Sequence, residues 1–182
     1  MKILIISDIH GSSYYAEKIK EIEEKEKPDQ IILLGDLYYH GPRNNLTQEY
    51  NPMKVAGILN DFGEKIVTVR GNCDAEVDKM VTGIDVLQES CTIINEGRRI
   101  FATHGHIYSE DQLPALSEND VFLYGHVHLP IAKKEKGIYI LNPGSITLPK
   151  QGNPNSYGIL DENGFVIKNL EHVIIKEIQF ID

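Results

Sequence analysis

The chain is poor in cysteine, has no long apolar run and carries fewer basic than acidic residues. Its 182 residues include two cysteines, Cys73 and Cys91. They fit no disulfide framework and are expected as free thiols of a reducing compartment. No apolar stretch approaches the roughly 18 residues of a membrane span, and the amino terminus lacks the basic-then-apolar layout of a signal peptide. The expectation is a cytoplasmic protein with no membrane partner. Lys plus Arg number 18 against 27 Asp plus Glu, a formal charge of −9. That balance argues against a broad nucleic-acid surface, because duplex binding is driven largely by neutralising phosphates with Lys and Arg. A small phosphate ester in a metal-lined pocket stays open, since bound cations would supply the attraction there. With no linker, repeat or low-complexity segment, residues 1–182 read as one domain, long enough to bury about 70% of the unfolded surface.

What the chain does have is a repeated arrangement. Residues 3–6 are four large aliphatics, the pattern of a strand buried on both faces, and they run into Ser7-Asp8-Ile9-His10-Gly11. If the extended path continues, Asp8 and His10 project to one side. An amphipathic helix follows, with Tyr15, Ile19 and Ile22 at helical spacing, ending at Pro28. A second aliphatic strand over 31–34 ends in Gly35-Asp36, and a third over 66–69 ends in Arg70-Gly71-Asn72-Cys73-Asp74. Between them lie a long loop with His40 and Arg43 and a helix begun by Pro52. A short helix with Val77 and Met80 on one side is expected after Asp74.

From residue 90 the pattern is strand-turn-strand. A hairpin over 92–103 ends at His104-Gly105-His106, and a strand over 121–124 ends at Gly125-His126-Val127-His128. This order suggests an α/β protein of two sheets packed face to face with helices outside. Polar residues thus cluster beyond the carboxyl ends of five strands, where ligands bind in α/β sheets. Asp8, His10, Asp36, Asn72, His104, His126 and His128 are all oxygen or nitrogen donors, suited to Mn, Fe, Zn or Co. They exceed one ion's shell and suffice for two ions sharing a carboxylate, a recurrent device for displacement at phosphorus.

In this order, D-x-H, G-D, G-N-C-D, a lone His and G-H-x-H resemble the calcineurin-like metallophosphoesterase superfamily. The wider similarity, including Asn142-Pro143-Gly144-Ser145, is to its small bacterial YfcE-like phosphodiesterases. The resemblance implies a four-layer αββα sandwich of two mixed β-sheets flanked by helices. It puts Asp8, His10 and His128 on one divalent ion, Asn72, His104 and His126 on another, and Asp36 on both. Manganese is the first choice, with zinc, iron, nickel or cobalt as alternatives. The implied reaction is hydrolysis of a small phosphodiester by in-line attack of a metal-held hydroxide, with Asn72 and Cys73 in catalytic positions. Arg43 and Cys73 are the expected substrate contacts. The resemblance also points to self-association as a homo-oligomer. Where many members have G-N-H, this chain has Cys73, a poorer proton donor than an imidazolium near neutral pH. That favours diesters over monoesters. The competing readings are a phosphomonoesterase or protein phosphatase, and a non-catalytic scaffold like a retromer subunit that looks similar in fold.

Overall fold

A computed structural model describes residues 1–181. The chain runs β1 (Ile3–Ile6), α1 (Ser13–Glu26), β2 (Gln30–Leu33), α2 (Pro52–Asp61) and β3 (Ile66–Thr68). It continues β4 (Ser90–Asn95), β5 (Arg98–Thr103), β6 (Val121–Leu123), β7 (Pro130–Glu135), β8 (Ile138–Pro143), β9 (Ser156–Leu160), β10 (Gly164–Asn169) and β11 (Ile174–Gln179). Two mixed sheets result. One has the order β11-β10-β9-β1-β2-β3 and the other β4-β5-β6-β8-β7. β1 pairs in parallel with β2, and β2 with β3. In the second sheet β5, β6 and β8 are parallel neighbours.

The period of two in a strand divides β1 between two cores. Ile3 and Ile5 face the second sheet and pack with Ile100, Ala102, Val121 and Leu123. Leu4 and Ile6 face the helices, against Ala16 and Ile19 of α1 and Val55 and Leu59 of α2. That two-sided burial is why the strand is aliphatic at every position. The Ser12 hydroxyl caps α1 by accepting from the Tyr15 N–H, and the helix closes at Lys27 in a left-handed conformation. Both α-helices lie on the first sheet. On the second sheet's outer face Phe122, Tyr124 and Ile140 are covered by Tyr108, Leu113 and Leu116, which belong to an irregular segment. The short helix after Asp74 is a single 3-10 stretch, Glu76–Met80, whose Val77 and Met80 are exposed, not packed. Five residues suffice to redirect the chain but not to bury a face.

One polar cluster ties α1 to β9 and β10 of the first sheet. Glu26 accepts from the Lys2 and Lys168 ammonium groups at 2.9 and 2.7 Å and from the Tyr157 hydroxyl at 2.9 Å. The Tyr157 hydroxyl also meets His172 Nδ1 at 2.8 Å. Burial alone would raise the Glu26 pKa, but Lys168, Lys2 and Tyr157 outweigh it and hold it at about 2, against an ordinary 4.5. The unfolded chain therefore takes up this proton at a higher pH than the folded chain. The cluster's contribution is complete above pH 4.5 and is lost as pH falls toward about 2. Glu26→Gln is expected to cost about 1–3 kcal/mol at neutral pH and to flatten this acid dependence. Urea unfolding across the acid range checks both; an unchanged acid limb would refute the assignment.

Candidate metal centre

β1 stops at Ile6, and the backbone does not stay extended. Asp8 and His10 have φ of 61° and 51°, so alternation along a strand is not what brings their side chains together, as the sequence suggested. Five of the seven donors, Asp8, His10, Asp36, His126 and His128, lie in the left-handed region, with φ between 51° and 66°. That conformation is costly for residues other than glycine and persists only where the surroundings enforce it. Here the loops brace one another. The Asp8 N–H donates to Gly35 O at 3.2 Å and the His10 N–H to Asp36 O at 2.8 Å. The Ser145 hydroxyl donates to Asp8 O at 3.2 Å, and the Thr147 hydroxyl to Ile9 O at 2.9 Å. The segment after Asn142 thus supports the site through side chains. Gly71 permits a close approach: a Cβ there would fall 2.1 Å from Asp36 Oδ1.

The seven donors meet in one place. His128 Nε2 lies 3.2 Å from Asp8 Oδ1 and 3.5 Å from His10 Nε2. Asp36 Oδ2 stands 3.7 Å from His10 Nε2 and 3.5 Å from His104 Nε2, between the two halves. His104 Nε2 is 3.1 Å from Asn72 Oδ1 and 3.3 Å from His126 Nδ1. Asp8, His10 and His128 form one compact group of donors, and Asp8, Asp36 and His104 another.

The donors' outward contacts fit divalent cations. His10, His104 and His128 each turn Nδ1 to a backbone carbonyl, those of Tyr39, Leu34 and Leu148, at 2.9, 2.6 and 2.6 Å. An Nδ1–H held this way leaves the Nε2 lone pair pointing inward, the usual arrangement of a metal-binding imidazole. Asp8 is fully buried, and its Oδ1 has no hydrogen-bond partner. A buried carboxylate oxygen facing two Nε2 atoms is an expensive arrangement that a cation would relieve.

Without ions the groups compensate through protons. Burial would raise the Asp8 pKa, but the facing His128, with His104 and His10, holds it below the usual carboxylate range. Asp36 is likewise lowered, by His104 against burial. Burial depresses His104, yet Asp36 and Asp8 raise it to about 9, while burial and the His104 charge push His126 down to about 4. A proton on His104 Nε2 thus occupies the direction a cation would take, and ion binding has to displace it.

A cleft of about 550 Å³ opens above these groups, lined in part by Gly41, Arg43, Asn44, Cys73 and Lys150. Arg43 and Cys73 therefore stand where substrate contacts were expected. The Cys73 N–H donates to Asp36 Oδ1 at 2.8 Å. Burial and the Asp36 charge push the Cys73 thiol up to about 12, so it is neutral. His40 is wedged edge-on between the rings of Tyr39 and Tyr50. His106 is exposed, with its ring edge-on to His104.

Two residues in this region were not anticipated from the sequence. Asp74 accepts from the N–H groups of Asp36, Leu37 and Gly71 at 2.8, 2.8 and 2.7 Å, locking the loop after β2 to the loop after β3. A carboxylate one position past Gly71-Asn72-Cys73 was a readable signal for such a brace. Lys150 carried none, because it follows His128 by 22 positions in an ordinary turn.

Comparison with known proteins agrees with this geometry. Residues 1–164 match the calcineurin-like phosphoesterase superfamily domain. The chain is 45% identical to the phosphodiesterase YfcE of Escherichia coli K12, over 90% of this chain and 89% of that one. The solved structure of the E. coli YfcE phosphoesterase superposes with a TM-score of 0.97 at 41% identity, covering 100% of both chains. The probable metallophosphoesterase YsnB of Bacillus subtilis is 29% identical, over 88% of this chain and 83% of its own. Vacuolar protein sorting 29 of Cryptosporidium parvum shares the fold, at 18% identity and a TM-score of 0.64 over 98% of this chain and 97% of its own. The full donor set, the paired mixed sheets and these likenesses converge: the chain belongs to the calcineurin-like phosphoesterase superfamily, beside the YfcE phosphodiesterase.

Proposed function

We propose that this chain hydrolyses phosphodiester bonds at a binuclear centre; two divalent transition-metal ions, manganese foremost, would supply there a hydroxide for in-line attack on phosphorus. Asp8, His10 and His128 would hold one ion, Asn72, His104 and His126 the other, and Asp36 both. The observation that carries this reading is the convergence of three Nε2 atoms, each fixed by an Nδ1 contact to a backbone carbonyl, on two buried carboxylates. The likeness to a phosphodiesterase over nine-tenths of the chain supports diesters as the substrate class.

The chain's own groups orient the ester. Asn72 is exposed at the cleft wall, with its amide 3.3 Å from Cys73 Sγ. Arg43, on the cleft wall, offers a planar donor pair to an anionic group of the bound substrate. Cys73, neutral up to about pH 12, is a weak acid and gives little help to a poor leaving group. Esters of acidic alcohols or phenols are the preferred substrates on this account. Cys73→His is expected to shift the ratio of monoester to diester hydrolysis toward monoesters by about tenfold or more. Parallel assays on p-nitrophenyl phosphate and bis(p-nitrophenyl) phosphate decide it, and an unchanged ratio would count against this role.

The reading as a whole is tested by stripping the protein with a chelator and titrating Mn, Zn and Mg back against bis(p-nitrophenyl) phosphate. Activity is expected to disappear and return, most strongly with Mn. Ion at a hundredfold excess over Kd should stabilise the fold by about 2.7 kcal/mol. No turnover under any of the metals would overturn the catalytic reading and favour a scaffold.

A further inference from the structure

The cleft has a charge composition unlike the rest of the chain. Acids outnumber bases 27 to 18 overall. Of the residues lining the cleft, the sole acid is Asp36, itself one of the metal donors, while Arg43 and Lys150 are both bases. Neither base is committed elsewhere: among the described residues no carboxylate pairs with either one. Other lysines, such as Lys2, Lys20, Lys65 and Lys168, are taken up in ion pairs.

Both cations stand on turns whose backbones are fixed. His128 turns Nδ1 to Leu148 O at 2.6 Å, and the Lys150 N–H donates to His128 O at 3.3 Å. Asn153 closes the same turn by donating to Lys150 O from its N–H at 3.1 Å and its amide at 2.8 Å. Arg43 lies in a turn closed by the Asn44 amide on His40 O at 2.7 Å. Lys150 is therefore strapped to a donor of one half of the centre, while Arg43 follows the loop from Asp36. An ordinary diester carries one negative charge, and on the reading above the ions receive it. Two unpaired cations on separate anchored loops, in a cleft able to take a ligand of nucleotide size, exceed what that charge needs.

We infer that Lys150 and Arg43 form a second anion subsite, so that the enzyme prefers phosphodiesters bearing a further phosphate over the same esters without it. The inference rests on the phosphodiesterase reading and deepens it by naming the substrate class. Arg43 supplies a bidentate fork and Lys150 a mobile point charge. Their combined effect depends on ionic strength, because both side chains are exposed.

A matched pair of probes tests this: the p-nitrophenyl ester of thymidine 5′-phosphate with and without a 3′-phosphate. The Mn-loaded protein is expected to turn over the 3′-phosphorylated ester with a kcat/KM about tenfold higher, the gain appearing in KM. Calorimetry on the same protein should show thymidine 3′,5′-bisphosphate binding about tenfold more tightly than thymidine 5′-phosphate. Lys150→Ala and Arg43→Ala should each cut both preferences severalfold, the double variant should abolish them, and Lys150→Arg should restore most of the effect. Equal affinity for the two nucleotides in the native protein would overturn the subsite, as would a preference that survives in the double variant. Loss of turnover of both esters with the binding preference intact would instead count against the phosphodiesterase reading and for the subsite.

Discussion

Asp8→Asn is expected to lower kcat/KM for a chromogenic phosphodiester by about a thousandfold or more while leaving the fold intact. Partners that merely orient metal ligands cost roughly 10–100-fold when removed, so a donor itself should cost more. The fold survives for a local reason. Asp8 Oδ2 accepts from the Ser7 hydroxyl at 2.6 Å and from the His126 N–H at 3.2 Å, and an amide oxygen can do the same. The new amide N–H₂ would take the place of Oδ1, the atom without a hydrogen-bond partner, and face the Nε2 atoms of His10 and His128. In the metal-free state the variant gives up the attraction between this carboxylate and the facing His128, and is relieved of a buried carboxylate oxygen that lacks a hydrogen-bond partner. The metal-free variant should therefore stay folded and melt close to or modestly below the metal-free native protein, and it should lose much of the native protein's rise in Tm with added Mn. Thermal melts with and without ion, beside the diester assay, decide the matter. Retained activity would remove Asp8 from the centre, and a collapsed metal-free variant would show that its carboxylate is structural.

The second large effect is expected at a residue that binds no ion. Asp74→Ala should destabilise the protein by about 3–5 kcal/mol and reduce diester hydrolysis by about 10–100-fold. Three buried N–H groups, of Asp36, Leu37 and Gly71, would lose their acceptor together. Each orphaned donor costs about 1–3 kcal/mol, and partial relaxation keeps the total below the sum. The activity loss follows because the Asp36 N–H and the Asn72 loop are what Asp74 holds in register. Burial and the Asp36 charge push Asp74 up to about 6. It is still ionised at neutral pH and protonates sooner than an ordinary carboxyl as pH falls. Asp74→Asn is the informative companion. One oxygen can keep the Asp36 and Gly71 donors, while the amide confronts the Leu37 N–H. Its stability loss should fall between zero and that of the alanine variant. Urea unfolding together with Mn titration separates the two consequences; a full loss of stability with unchanged metal response would make Asp74 a fold residue only.

Much of this molecule was legible in local patterns. The aliphatic runs at β1, β2 and β3 announced buried strands because a strand covered on both faces has no polar side to alternate with. The 3.6-residue rhythm and the Pro28 stop outlined α1, and Pro52 at the first turn marked α2. The order of candidate donors along the chain was readable because each follows a strand, so a one-dimensional pattern singled out Asp8, His10, Asp36, Asn72, His104, His126 and His128 as residues able to meet. Other features could not be read this way. The extended path expected through Asp8 and His10 gives way to left-handed turns, since the loops after β1 and β2 bond to each other and bend both backbones. The short helix expected with Val77 and Met80 on one side is a single 3-10 stretch that leaves both exposed.

The sequence by itself determined which elements form and which side chains stand at their ends, because periodicity, capping and strand termination act over a few residues. Tertiary structure alone decided that the ends meet. His10 and His128, 118 positions apart, face each other at 3.5 Å only because parallel strands of two packed sheets deliver their loops to one edge. The same meeting of loops set the N–H groups of Asp36, Leu37 and Gly71 around the Asp74 carboxylate and strapped Lys150 beside His128. Such placements depend on loops distant in sequence approaching within hydrogen-bonding range, and no local pattern records that distance.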